Sequence, residues 1–300
     1  MQKILILVGK SASNINSFYS KLTELLPQEH EVEKAYFEDI IIDIEQNKTT
    51  IFINDKDIAS YDLVYFRRAG AEFLWLAATI ALYLDSRNII YYDSAYRDSG
   101  IGNKLYSLVR LAINGLPVIP TMFCYKGNIV ANADMLIERL GLPMVVKDLH
   151  SQRGLGVFLI KEKADIVKIA TDNPGKRFMF QKFITKKEEY RVLVLGDTVG
   201  SYEVKTSSDP NEFRNNVSLG ATEDFKDIST MTEEVKYTSV KSAKVLRIEI
   251  AGVDIVLDVD GGVWVLEVNR GPGFTYDSTE SPEMKSVAKY FSDVLAKIKK

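Results

Sequence analysis

The sequence predicts an α/β protein carrying a smaller α+β lid, on three observations. The first ninety residues alternate apolar strand-like runs with helical patterns. The stretch after Pro120 strings helix, two short apolar strands and a second helix together in under sixty residues. Near the C-terminus, two long strand patterns meet at Asp260-Gly261, a strong tight-turn signal.

Composition narrows the function classes. A chain of 300 residues is long enough for about two domains, and 46% hydrophobic with 26% charged residues is an ordinary globular balance. Lys and Arg number 38 against 41 acids, so nothing drives the whole surface toward nucleic acid or anionic membrane. A single cysteine, Cys124, excludes an internal disulfide, and with only His30 and His150 it excludes the usual four-ligand zinc site. A reducing, cytoplasmic setting is expected. The scarcity of imidazole also disfavours Ser or Cys nucleophiles, leaving carboxylates, Lys, Arg or a metal to carry the chemistry. The uncharged, apolar run Phe73 to Leu84 has twelve residues, against about twenty for a bilayer span. It reads as a buried helix. Ile4 to Val8 is too short for a secretory signal and reads as a buried strand.

Taken in order, strand 4–8, helix 14–26, strands 50–53 and 63–66, helix 71–84 and strand 88–92 predict one small α/β sheet. A helix begins at Asn103, with Leu105, Leu108, Val109 and Ala112 on one side, and stops at Asn114-Gly115 before Pro117. The lid follows as helix 128–140, strands 144–147 and 157–161, and helix 163–171. Strands 178–183, 191–195 and 199–204 lead into a polar stretch, 205–229, with little sign of regular structure; loops that long are usually functional or disordered. Helix 231–247, a hairpin over 252–269 and a last helix from Ser281-Pro282-Glu283 complete the chain.

The hairpin is the richest segment. If Asp260-Gly261 forms a two-residue loop, Val259 faces Gly262, and counting back puts Asp254 opposite Glu267 on one sheet face, with Asn269 beside them. Carboxylates so close would repel unless a cation sat among them; magnesium suits such a set, since it accepts a few carboxylates plus water and phosphate oxygens. The other reading is a wet sheet face bearing solvated acids. Asp258 lies about 13 Å along the strand, too far to share an ion.

Four cationic features accompany it. Lys147 ends an apolar strand and precedes Ser151-Gln152-Arg153-Gly154-Leu155-Gly156, a turn able to close on phosphates, although by itself an ordinary hairpin turn explains it as well. Lys104 stands in the first turn of a helix, where its charge opposes the macrodipole; a docked anion would explain it, and so would a solvated side chain. Arg214, within Phe213-Arg214-Asn215-Asn216, is either a phosphate-binding fork or a solvated loop residue. Arg67 and Arg68 end a strand and either meet a carboxylate substrate or sit on the surface. Lys10 after Gly9 is not a P-loop, because Ile4 stands where the first glycine is needed.

In sequence order, Asn103-Lys104, Val145-Val146-Lys147, Arg153 to Val157, Phe180-Gln181-Lys182-Phe183-Ile184, Glu189-Tyr190-Arg191, Phe213 to Asn216, Ala251 to Asp254 and Leu266-Glu267-Val268-Asn269 resemble the ATP-grasp ligases. The likeness is to their RimK-type branch, the ribosomal-protein glutamate ligases, and runs from about residue 94 to 278. It implies an ATP-grasp fold with a pre-ATP-grasp α/β domain over 1–93 and an ATP-grasp domain over 94–300, the lid at about 121–180 and a catalytic subdomain at about 181–300. By the same resemblance Lys104 and Lys147, with the Arg153, Gly154 and Gly156 turn, would hold ATP phosphates. Gln181 and the backbone of Lys182 and Phe183 would frame adenine, and Glu189 would bind ribose. Asp254, Glu267 and Asn269 would hold magnesium, or manganese in its place, and Arg214 with Asn216 would steady the transferred phosphate.

Such enzymes activate a carboxylate as an acyl phosphate and let an amine displace phosphate. Expected partners are therefore ATP, an acid and an amine on an amino acid, peptide or protein, with no nucleic acid or membrane and with self-association open. The chain departs from the branch at Lys182, where Glu is usual; at Ser151 and Arg153, for Gly and Gln; and at Arg270-Gly271-Pro272-Gly273, where Ala-Ser-Pro-Gly often follows the Asn. A nucleotide-binding regulator without turnover, and a ligase cross-linking a ribosomally made peptide, are the competing readings.

Overall fold

The computed structural model describes residues 1–12, 14–44, 49–98, 103–151, 156–206, 222–276 and 282–298. Its first part holds β1 (Gln2–Val8), α1 (Ile15–Leu25), β2 (His30–Tyr36), β3 (Ile41–Asp43), β4 (Thr50–Ile53), β5 (Lys56–Asp57), β6 (Leu63–Phe66), α2 (Leu74–Ser86) and β7 (Ile90–Tyr92). Strands β2-β1-β6-β7 make a parallel sheet. The uninterrupted apolar run Ile4–Val8 is wholly buried because helices cover both faces of its strand. Two expectations need correction here. Residues 50–53 do not join that sheet; they form β3-β4-β5, a separate antiparallel meander turned at Asn54-Asp55, both at positive φ. And β2 escapes hydrophobic reading because its His-Glu-Val-Glu-Lys-Ala-Tyr sequence buries only Val32 and Ala35 on an edge strand. Helix α2 forms as expected but leaves Trp75 and Leu82 exposed. Among the described residues, no helix is long and apolar enough to cross a membrane.

The middle part holds α3 (Lys104–Ile113), β8 (Thr121–Phe123), α4 (Ala133–Leu140), β9 (Met144–Asp148), β10 (Val157–Ile160), α5 (Lys163–Asp172) and β11 (Phe178–Lys182). The Asn103 side chain caps α3, accepting hydrogen bonds from the Leu105 and Tyr106 amides at 2.9 and 3.3 Å. The helix is turned from the predicted face: Leu108 and Leu111 are buried, while Val109 and Ala112 are exposed. That rotation carries Lys104, Ser107 and Leu108 to a cavity wall. Strands β10-β9-β11-β8 form an antiparallel lid sheet. Met144, Val146, Phe178 and Phe180 pack on Leu136 and Ile166 of α4 and α5, so Val145, Lys147 and Gln181, one residue out of phase, face away from those helices.

The last part holds β12 (Lys186–Leu195), β13 (Thr198–Thr206), β14 (Thr222–Lys226), α6 (Glu233–Leu246), β15 (Ile250–Asp258), β16 (Val263–Arg270) and α7 (Pro282–Ile298). Regular structure thus enters the polar stretch 205–229 at β14. The sheet runs β14-β13-β12-β15-β16. Val192, Val194, Val253, Ile255 and Val265 pack beneath α6. On the other face Leu193, Leu195 and Ile250 meet Met284, Val287 and Phe291 of α7, which also packs on Ile4, Ile6 and Tyr65. Helix α7 therefore covers half of that face and joins it to the first sheet; the uncovered half is polar.

Candidate active site

The uncovered half carries charges in alternate positions. Glu189, Glu203, Lys205 and Asp254 are each no more than 5% exposed, and the ladders pair Glu189 with Lys205, Arg191 with both Glu203 and Asp254, and Asp254 with Glu267. The Asp254–Glu267 pairing is the predicted one, reached by a different route. The turn has three residues, Val259-Asp260-Gly261, with Asp258 N–H bonded to the Gly262 carbonyl at 2.9 Å and Gly261 at φ +88°. Asp258 stabilises it, its carboxylate accepting from the Asp260 amide at 3.0 Å and the Trp264 indole at 2.7 Å. The ladder near the turn is one residue out of the expected register, Ile255 facing Val265, until a bulge at Leu266 restores it at Asp254.

Asp254 sits at the centre of this face. Lys205 Nζ is 2.7 Å from its Oδ1, Arg191 Nε 3.1 Å from the same atom, and Asn269 Nδ2 donates to Oδ2 at 3.1 Å. Burial alone would raise its pKa, but Arg191 and Lys205 outweigh that and hold the carboxyl below its ordinary value. Glu267 differs: it is half-buried and no described residue hydrogen-bonds or ion-pairs with it.

Across a cavity of ≈ 410 Å³ stand the lid residues. Lys147 has no hydrogen-bond or ion-pair partner among the described residues; burial pushes its pKa down to about 8, against the pull of Glu267 and with the help of Lys104. Lys104 donates to the Ser151 carbonyl at 3.1 Å. Gln181 donates to Thr121 Oγ1 at 2.8 Å, and its own buried Oε1 lacks a partner. The Lys182 amide is bonded to the Pro120 carbonyl at 2.9 Å, and Lys182, Phe183 and Ile184 all line the cavity. Glu189 accepts from Lys186 Nζ at 2.9 Å.

Before β10, Gly156 is obligatory, since a Cβ there would lie 2.5 Å from that of Ser151. Asp148 braces the same turn, accepting from the His150 amide at 3.1 Å and the Ser151 hydroxyl at 2.7 Å. Arg153, Gly154, Arg214 and Asn216 lie outside the described residues.

Sequence reasoning missed Arg191, Glu203, Lys205 and Asp148 as site residues. For Arg191, Glu203 and Lys205 the available signal was charge at alternate positions in strands whose other positions are Val, Leu or Tyr. Arg67 is corrected. It is buried, sandwiched between the rings of Phe18 and Phe274 at 4.1 and 4.8 Å, and donates to the Pro272 carbonyl at 2.9 Å. It fixes the segment after β16 and does not face a substrate.

Among the described residues no three His, Cys, Asp or Glu side chains cluster at metal-binding spacing. Two carboxylates and an amide remain, a donor set fitting a hard cation that completes its shell with water and phosphate. The cavity lies between two antiparallel sheets.

The comparisons agree. The model of the RimK-like ATP-grasp domain matches residues 102–285. A probable alpha-L-glutamate ligase of Aeromonas salmonicida is 27% identical over 86% of this chain and 85% of its own. The fold is that of the ATP-grasp ligase PsnB, solved with a phosphomimetic variant of its minimal precursor, Mg and ADP (TM-score 0.74, 20% identity, 99% of this chain and 98% of that one). It is also that of a RiPP-associated ATP-grasp ligase from Chryseobacterium gregarium, solved with ADP and a leader and core peptide (TM-score 0.70, 18% identity, 98% and 97%). The protein is thus an ATP-grasp ligase, an ATP-dependent enzyme that forms amides. More narrowly, the chain belongs to the RimK-like ATP-grasp family.

Proposed function

We propose that the enzyme joins a carboxylate to an amine through an acyl phosphate, with Mg-ATP bound between the lid and the charged sheet face. The observation that carries this is the opposition, across one cavity, of the Lys147 ammonium and the Glu267 carboxylate, neither with a hydrogen-bond or ion-pair partner among the described residues. Lys104, Lys147 and the turn containing Arg153, Gly154 and Gly156 would hold the phosphates, the backbone at Lys182 and Phe183 with Gln181 the adenine, and Glu189 the ribose. Asp254, Glu267 and Asn269 would hold magnesium, or manganese in its place, which when bound supplies charge against the phosphate oxygens.

A substrate carboxylate oxygen attacks the γ-phosphorus and ADP leaves; the amine then attacks the acyl carbon, phosphate leaves and the nitrogen sheds a proton. Arg214 and Asn216 would steady the phosphate in both steps. Lys104 and Lys147 neutralise charge spread over phosphoryl oxygens, where positioning and electrostatics supply most of the catalysis. The acceptor would be an amino acid or a peptide, the two substrate kinds named among the relatives and structural neighbours.

Oxygen-18 placed in the carboxylate should appear in released phosphate. Amide formed without that transfer would overturn the acyl phosphate, and tight ATP binding with no ADP released across broad acid and amine panels would favour a nucleotide-binding regulator.

A further inference from the structure

A second cavity, ≈ 800 Å³, adjoins the nucleotide cavity and shares Lys104, Lys147, Glu267 and Asn269 with it. Its far wall follows from topology. From β1 the chain runs to β2 on one side and later returns to β6 on the other, so the carboxyl ends of β1 and β6 diverge, and such a switch point opens a crevice in a parallel sheet. Residues 9, 11, 12 and 68–73, which follow those strand ends, line the cavity.

Opposite them, at the end of β16, stands Arg270. Its guanidinium lies 5.0 Å from the Tyr96 ring centroid, it lines both cavities, and it makes no hydrogen bond or ion pair with any described residue. No carboxylate among the described residues ion-pairs with it. Asp98 is bound by Arg110 and Arg247, and burial, then Glu249, holds the Asp93 carboxyl well above the usual carboxylate range. The platform beneath is rigid: Arg67 grips the Pro272 carbonyl, Arg68 Nε donates to the Gly271 carbonyl at 3.0 Å, and a Cβ at Gly271 (φ +56°) would lie 2.9 Å from Arg68 Cγ. A half-buried guanidinium held in place on an aromatic ring is suited to reading a carboxylate.

We propose that Arg270 determines specificity by binding a substrate carboxylate that takes no part in the reaction. This rests on the ligase reading above. A guanidinium clamped on the reacting carboxylate would stabilise it in the ground state and blunt its attack on phosphorus, whereas a spectator carboxylate held in the switch-point cavity orients the substrate without that loss. The spectator group could belong to the acid or to the amine.

The test uses the full-length enzyme with Mg-ATP and an acid–amine pair found by mass spectrometry of products. Each partner is then replaced by its carboxamide analogue at the spectator position, in wild type and in R270Q, with ADP affinity followed by calorimetry. In wild type one carboxamide, on either the acid or the amine, should raise KM by about 10- to 100-fold. R270Q should raise KM for the parent substrate to a similar value, no longer distinguish the two, and bind ADP as wild type does; R270K should recover part of the discrimination. Indifference of the wild type to both carboxamides, or a loss of ADP affinity in R270Q, would overturn the inference and leave the ligase reading standing. Failure of the wild type to form any amide would end both.

Discussion

On β12 and β15, Val192, Val194, Val253 and Ile255 face helix α6, while Glu189, Arg191 and Asp254, at positions of opposite parity, face the first cavity. Glu189 and Asp254 are buried nearly as deeply as the apolar residues opposite, with Arg191 half-buried beside them, and the two faces bury their residues by different physics. Under α6 the gain is apolar surface removed from water. On the other face the charges remain buried because they are arranged in alternating sign, Lys205 and Arg191 against Asp254. The comparison assigns stability to one face and chemistry to the other, and assigns Asp254 to both.

The largest expected effect lies on the charged face. Glu267→Gln and Asp254→Asn should each lower kcat by about 100-fold or more, read as ADP release at saturating substrate; near-normal turnover in either would remove the metal assignment. On the opposite face, Ile255→Ala should cost about 2–5 kcal/mol in urea unfolding while leaving kcat unchanged well below the melting temperature. A large loss of kcat at full folding would show that the two faces are not separable.

The double role of Asp254 gives a finer test. Asp254→Asn leaves the buried Lys205 ammonium without a charged partner at that position and should destabilise the fold by on the order of 2 kcal/mol, whereas Glu267→Gln, which breaks no pair, should change stability by less than about 0.5 kcal/mol. Equal melting temperatures for the two variants would contradict the pairing.

The smallest effect concerns Lys147. Its folded pKa, near 8, lies below the ordinary lysine value, so its charge opposes folding at neutral pH, and that opposition fades as pH rises through 8 toward 10.5. Phosphates docking beside it would raise the pKa again. ADP binding should therefore take up almost no proton near about pH 6.5 and a growing fraction of one toward about pH 9, measured by calorimetry in buffers of different ionisation heat. The uptake should vanish in Lys147→Met.

Legibility followed the kind of physical signal involved. Uninterrupted apolar runs such as Ile4–Val8 and Met144–Lys147 announced their strands, and Asn103, Gly115 and Pro282 marked helix ends, because these preferences act within a few residues. The pairing of Asp254 with Glu267 was reached from an incorrect turn: the three-residue loop shifts the register by one and the Leu266 bulge shifts it back. Strand β2 was missed because an edge strand needs little apolar sequence, while Thr50–Ile53 was read as a strand but given to the wrong sheet, because sheet membership is set by partners distant in sequence. Neither reading of Arg67, carboxylate ligand or surface residue, was met, because a bare sequence does not reveal the two aromatic rings, 49 and 207 residues away, that enclose it.

By itself the sequence determined the fold class, the order of most elements and the ordered set from Lys104 to Asn269 that marks the family, since each rests on local periodicity, capping or spacing. Only the tertiary structure decided that Lys205 and Arg191 share Asp254, that Lys147 faces Glu267 across a cavity, and that Arg270, without an ion-pair partner among the described residues, lines a second one. Charge compensation and burial depend on which distant strands become neighbours, and that is fixed by sheet order and register rather than by any short stretch of chain.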